Sequence, residues 1–221
     1  MPRFSVHGRA TRRIPPERAI VHLTVTADGA DRGDVLARAA SVHGDVVAQA
    51  GAHVQDGAAT RWSADTVHAW TFTEWVKPSP NLGEQSVVRF RAGADVSVRF
   101  RDFEALASWV SDVAVLDGVS IDGIRWELRD ATRDAVLRDV RSEAARDATA
   151  RASDYAAALG FGEPQLTSLY EDGLRPHVGP DGGGSSRMFA MRADAEGGAQ
   201  LELRPEDLEI EAIVTADFES S

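Results

Sequence analysis

The stretch Glu143 to Gly162, EAARDATARASDYAAALGFG, reads as the end of a long helix whose inward face carries almost nothing larger than alanine. Val136, Val140, Ala144, Ala148, Ala152, Tyr155 and Leu159 recur at helical spacing, while Arg138, Arg141, Asp147 and Asp154 fall away from that stripe. A helix from Thr132 to Leu159 is roughly 42 Å long at about 1.5 Å per residue. Only an extended surface matches that length, and small side chains let a helix approach one closely. A strand of about 12 residues spans roughly 40 Å, so the stripe is expected to lie on a sheet of its own chain, with another subunit's helix as the alternative. Asp130 is placed to cap the helix start. Gly160 is placed to end it, with Phe161 positioned for the apolar contact of a Schellman motif.

Elsewhere the pattern alternates between period two and about 3.6. Ala19 to Ala27 sets Val21, Leu23 and Val25 against His22, Thr24 and Thr26, a half-buried strand. Asp31 to Gly51 follows as a helix with Val35, Leu36, Ala39, Val42 and Val46 in phase, closed by its glycine. Thr60 to Val76 and Ser86 to Arg101 read as a long hairpin joined by KPSPNLGEQ, with a bulge or bend expected at Gly93. A short amphipathic helix over 103–115, a strand over 119–128, the long helix, a strand near 165–170 and a last strand near 208–218 complete the order. Residues 19–101 and 119–218 thus each read strand, helix, strand, strand. The expectation is one α+β domain over residues 1–221, made of duplicated βαββ halves joined by the 103–115 helix, with long helices on mainly antiparallel sheet.

A formal charge of −11 disfavours binding to nucleic acid or anionic membrane, which needs a basic surface. Cysteine is absent, so the chain has no disulfide, thiol nucleophile or Cys-type zinc site. No run of 18 apolar residues predicts a membrane span, and the start, MPRFSVHGRATRRIPPERA, lacks the apolar core of a signal peptide. A cytoplasmic location is the resulting expectation.

The chemistry is sparse. The six histidines are scattered without His-Glu-x-x-His spacing and read as solvated residues, with a metal site assembled from distant strands, for instance His22 with His68, as the alternative. Gly-x-Ser-x-Gly is missing, and with Lys77 the one lysine there is no Ser-x-x-Lys or Walker motif. The run Gly179 to Ser186, containing three consecutive glycines, reads as a mobile loop. The acidic cluster Glu202, Glu206, Asp207, Glu209 and Glu211 reads as a solvated edge. No catalytic residue, metal ligand or cofactor is assigned. On the first hairpin strand, His68, Trp70 and Phe72 share a face, Trp62 has the same parity and Trp75 the opposite one. Aromatics on both faces of one strand point to a subunit or partner interface as the alternative to simple burial.

GIRWELRD leading into an alanine-rich helix that closes ASDYAAALGFG resembles the SIMPL family. In the same order, PPERAIVHLTV is similar to its early "PD.A...l.V" strand, VVRFRAGADVSVRFRDFEAL to its middle segment, and LRPEDLEIEAIVTADFE to its closing strand. The early motif departs in having Pro16-Glu17-Arg18-Ala19 where the family tends to have Pro-Asp. The resemblance covers essentially the whole chain and implies an α+β fold, frequent self-association and no established catalytic chemistry; many bacterial members are exported. The functional expectation is therefore a non-enzymatic interaction module forming a homo-oligomer, with Trp62, Trp70, Phe72, Trp75, Ala148 and Ala152 as interface residues. The alternative is a small-molecule binder or enzyme with a pocket between the two halves.

Overall fold

The computed structural model describes residues 2–77, 83–175 and 203–221. Its elements are β1 (Arg3–Ile14), β2 (Arg18–Gly29), α1 (Arg32–Gln55), β3 (Ala59–Ala64), β4 (His68–Val76), β5 (Gln85–Phe100), α2 (Phe103–Ala114), β6 (Val119–Glu127), α3 (Asp130–Ala158), β7 (Gln165–Glu171) and β8 (Leu208–Glu219). Every strand pairing is antiparallel, so the fold is α+β as expected. The chain forms two compact units. The central unit is Glu17–Glu127 with Ala193–Pro205, and the terminal unit is Met1–Pro16, Leu128–Arg192 and Glu206–Ser221. The glycine run over 179–186 lies outside the described residues.

The central unit holds a sheet ordered β3-β5-β2-β6, with β4 also paired to β5. One face carries Val21, Leu23, Val25, Val96, Val98 and Phe100, all buried with Val46 and Ala50 of α1 and Leu106, Trp109, Val110 and Val113 of α2. Trp109 buries its ring while its Nε1 donates to Gln49 Oε1 at 3.1 Å, which removes the cost of an unpaired indole N–H. Asp31 and Asp102 cap α1 and α2 by accepting first-turn amides. The first helix runs past Gly51 to Gln55, because the left-handed residue that ends it is Gly57, at φ 79°.

The terminal unit is a sheet ordered β1-β8-β7 under α3. Val6, Val214, Ala216 and Phe218 are buried against Ala144, Ala148 and Ala152. The alanine stripe thus lies on its own sheet. The close approach depends on Gly8: a Cβ there would fall 2.6 Å from the Ala148 nitrogen, with the Ala144 carbonyl nearer still. Beyond Ala152 the buried row continues through Ala156, while Tyr155 and Leu159 are exposed. At the helix start the cap position is Arg129, whose side chain makes no capping hydrogen bond, and Asp130 lies inside the first turn, where its charge meets the helix dipole instead. At the end, Gly160 has φ 75°, Phe161 N–H reaches the Ala156 carbonyl and Gly160 N–H the Ala157 carbonyl, the paired bonds of a Schellman motif. The Phe161 ring packs edge-on against Phe4.

Two features depart from the sequence pattern. The two sequence halves do not coincide with the units: β6 pairs with β2, and the strand completing the α3 sheet is β1, paired along its full length with β8. The long first strand of the hairpin is broken. Ala64 faces Val96 and His68 faces Gly93, so three residues oppose two and the parity reverses across 65–67. The break therefore falls opposite the stretch just after Gly93, on the partner strand. Gly93 itself lets the β2 backbone lie close, since a Cβ there would sit 2.8 Å from the Val25 carbonyl, while the Trp70 ring packs over it at ordinary contact distance.

Candidate interaction surface

The hairpin of β4 and β5 outruns the sheet that supports it. Pairing between β2 and β5 stops at Gly29 opposite Phe90, whereas β4 and β5 continue to Val76 opposite Gln85. Residues 72–76 and 85–89 are thus a two-stranded arm with no third strand among the described residues, and such a ribbon has too little area to bury its own apolar side chains. Trp75 is 67% exposed and Val88 60% exposed. Trp75 faces Ser86 and Val88 faces Thr73, so ring and valine are diagonal neighbours on one face.

On the other face the arm is held by charge and aromatic contacts. The Arg91 guanidinium donates to both Asp28 oxygens, at 2.6 and 2.5 Å, and lies 4.9 Å from the Phe72 ring centroid. This single side chain ties β2, β5 and β4 together. Its hydrogen bonds hold the Asp28 carboxyl below the usual carboxylate range. Arg89 donates to Glu74 at 2.9 Å, and His68 stacks on Trp70 with centroids 5.0 Å apart.

The break at 65–67 separates the aromatics expected to share a face. Trp62, opposite Val98, is on the α1 side near Gly51, whereas Trp70 and Phe72, opposite Arg91 and Arg89, are on the other. Trp75 returns to the α1 side. Trp62 and Trp70 are 38% and 40% exposed. Ala148 and Ala152 are fully buried in the terminal unit and present no surface. Sequence reasoning missed Val88 and two α1 residues, Arg32 and Leu36. Arg32 donates to the Ala69 carbonyl of β4 at 3.2 Å, and Leu36, one turn on, is 38% exposed; neither carries a motif that would have drawn notice.

A second feature is a shallow depression of about 200 Å³ on the sheet face away from the helices, lined by His22, Ser63, Asp65, Asp95, Ser97 and Asp122. The Thr24 hydroxyl lies 2.8 Å from Asp95 and 2.7 Å from Asp122, and Ser63 and Ser97 share a bond of 2.8 Å. His68 is held away in its stack with Trp70. Among the described residues no group of three or more His, Asp or Glu side chains has a metal-binding arrangement, and no helix is long and apolar enough to cross a membrane.

Residues 4–218 match the family model described as SIMPL, protein of unknown function (DUF541). The chain belongs to the SIMPL family. No curated protein matches it. Membership agrees with the α+β fold of this SIMPL protein and assigns no chemistry to the arm or the depression.

Proposed function

We propose that this SIMPL protein is a non-enzymatic interaction module that self-associates through the β4–β5 arm. The observation that carries the reading is Trp75 beside its diagonal neighbour Val88, large apolar side chains left in water on a ribbon that nothing else among the described residues of its unit covers. Aromatic anchors of this kind give up hydration readily and fix orientation when a partner covers them. The rest of the arm is prepared for docking: Arg91, Asp28 and Phe72 hold it in one position, which lowers the ordering cost of association. The net charge of −11 makes a strongly acidic partner unfavourable. Contact between two copies therefore has to be carried by apolar side chains and backbone rather than by opposite net charge. The rival reading, a small-molecule binder, calls for an enclosed apolar cavity, and the depression at His22 and Asp95 is open and lined by carboxylates and hydroxyls. Light scattering over a dilution series tests the proposal. A mass of at least twice 23.8 kDa that falls on dilution is expected, and a monomer at all micromolar and higher concentrations overturns it.

A further inference from the structure

The outer edge of β4 follows from the hydrogen-bond parity of its neighbours. Thr26 donates its N–H to the Gly118 carbonyl at 2.7 Å, away from β5. Thr26 opposite Gly93 is therefore a non-bonded pair of the β2–β5 ladder, and Ala27 opposite Ala92 a bonded one. Ala92 thus directs its N–H and C=O to β2. Across the other side of β5, Ala69 faces Ala92, so its own backbone groups point away from β5. The Arg32 guanidinium on the Ala69 carbonyl marks that direction. Alternation then puts the N–H and C=O of Ala69, Thr71, Thr73 and Trp75 on the outer edge. Among the described residues no strand pairs with that edge.

We propose that a second copy of this chain adds its own β4 antiparallel to this edge about a two-fold axis at Phe72, and that Arg32 guards the edge against premature pairing. The inference rests on the self-association reading and names its contact. With the axis at Phe72, Ala69 meets the partner's Trp75 and Thr71 meets the partner's Thr73, so every outward residue finds an outward one. An axis at Thr71 or Thr73 leaves outward residues unmatched, and one at Glu74 sets two carboxylates directly opposite, which is unfavourable.

The side chains favour the same register. Leu36 follows Arg32 by four residues on α1 and so lies over the same edge. An added strand brings the partner's Trp75 beside Ala69, beneath Leu36, and the exposed indole and the exposed leucine cover each other. On the opposite face Phe72 meets its own copy, each ring backed by its Arg91. Both the ring and the ledge that receives it belong to this chain and are exchanged reciprocally, as a two-fold interface requires. The partner's Trp75 backbone N–H competes with the Arg32 guanidinium for the Ala69 carbonyl. Charged side chains over an open strand edge commonly serve that protective role.

The chain has no cysteine, so Phe72→Cys supplies its sole thiol. The Phe72 backbone points inward to β5, which makes its pairing across the axis a non-bonded one, with Cα atoms about 4.5 Å apart and within the disulfide range of about 4.4–6.8 Å. Mild oxidation should trap a covalent dimer of Phe72→Cys at least about tenfold faster than of Glu74→Cys, whose copies the axis keeps roughly 13 Å apart. Thr73→Pro removes an outward donor and leaves the β5 ladder intact; it should weaken association about tenfold. Arg32→Ala should tighten it by about the same factor. A wild-type protein that is monomeric on dilution overturns both the self-association reading and this contact. If the wild type associates but Phe72→Cys traps no more dimer than Glu74→Cys, and Thr73→Pro changes nothing, the edge pairing is overturned and self-association stands. Weaker association in Arg32→Ala overturns the guard.

Discussion

Gly8 of β1 and Ala148 of α3 stand so close that a Cβ built on the glycine would lie 2.8 Å from the alanine Cβ. Real Cβ atoms essentially never approach that closely, and backbone atoms of Ala144 and Ala148 stand on the same side. Helix and strand would have to separate. Gly8→Ala is therefore expected to destabilise the protein by about 2–3 kcal/mol, toward the upper end for overpacking. Urea unfolding monitored by circular dichroism measures it, and a cost below about 0.5 kcal/mol would show that the helix can shift freely.

The same contact seen from the helix gives a second expectation. Ala148 and Ala152 are wholly buried against Val6, Val214, Ala216 and Phe218, so Ala148→Leu and Ala152→Leu should each cost about 1–3 kcal/mol. Ala145→Leu, in a half-buried position of the same helix, should cost less. Equal stability of all three variants in thermal melts would contradict close packing as the reason for the alanines.

Acid should loosen the arm. The bidentate bond from Arg91 depresses the Asp28 pKa in the folded state, so its contribution to stability is fully present above the ordinary aspartate value near 4 and is lost as pH falls through the depressed one. The pair is exposed enough that at most about 1 kcal/mol is involved. NMR titration of the Asp28 carboxyl should give a midpoint below the ordinary value, and Arg91→Gln should raise it toward normal, the Arg38 charge still holding it down slightly. A normal midpoint in the wild type would refute the bidentate geometry.

Trp75→Ala is expected to weaken self-association by about 2 kcal/mol, roughly thirtyfold in dissociation constant, while the far-UV spectrum is unchanged because the ring is two-thirds exposed in the single chain. Sedimentation over a concentration series reads the shift. Unaltered association would move the contact off the arm.

Much of the fold is legible because burial and period agree. Val21, Leu23 and Val25 alternate in sequence and are buried together. The stripe on α3 is correct as far as Ala152 and then errs, since a period near 3.6 leads to Tyr155 and Leu159. The buried row instead advances in steps of four to Ala156, turning about 40° per step around the helix and so following a twisted sheet. β1 escapes notice because Arg9, Arg12 and Arg13 interrupt its small apolar residues and its central contact is a glycine. The break at 65–67 is equally silent: no residue there demands a bulge, and one extra residue puts Trp62 and Trp70 on opposite faces. Of the surface, the exposed tryptophan is legible as a residue type. The edge beneath Arg32 and Leu36 exists only after β4, β5 and α1 have assembled.

The pairing of β1 with β8 has a consequence for biosynthesis. Arg3 lies opposite Glu219 and Ile14 opposite Leu208, so β1 waits on the ribosome for a strand synthesised long after it. The central unit, whose sheet and helices all lie within Glu17–Glu127, can close while translation continues. The terminal sheet cannot, because β8 is its middle strand and both β1 and β7 depend on it. Ribosomes halted before Leu208 should expose a protease-resistant central unit and a cleavable β1, and the terminal unit remains dependent on chaperones until β8 clears the exit tunnel.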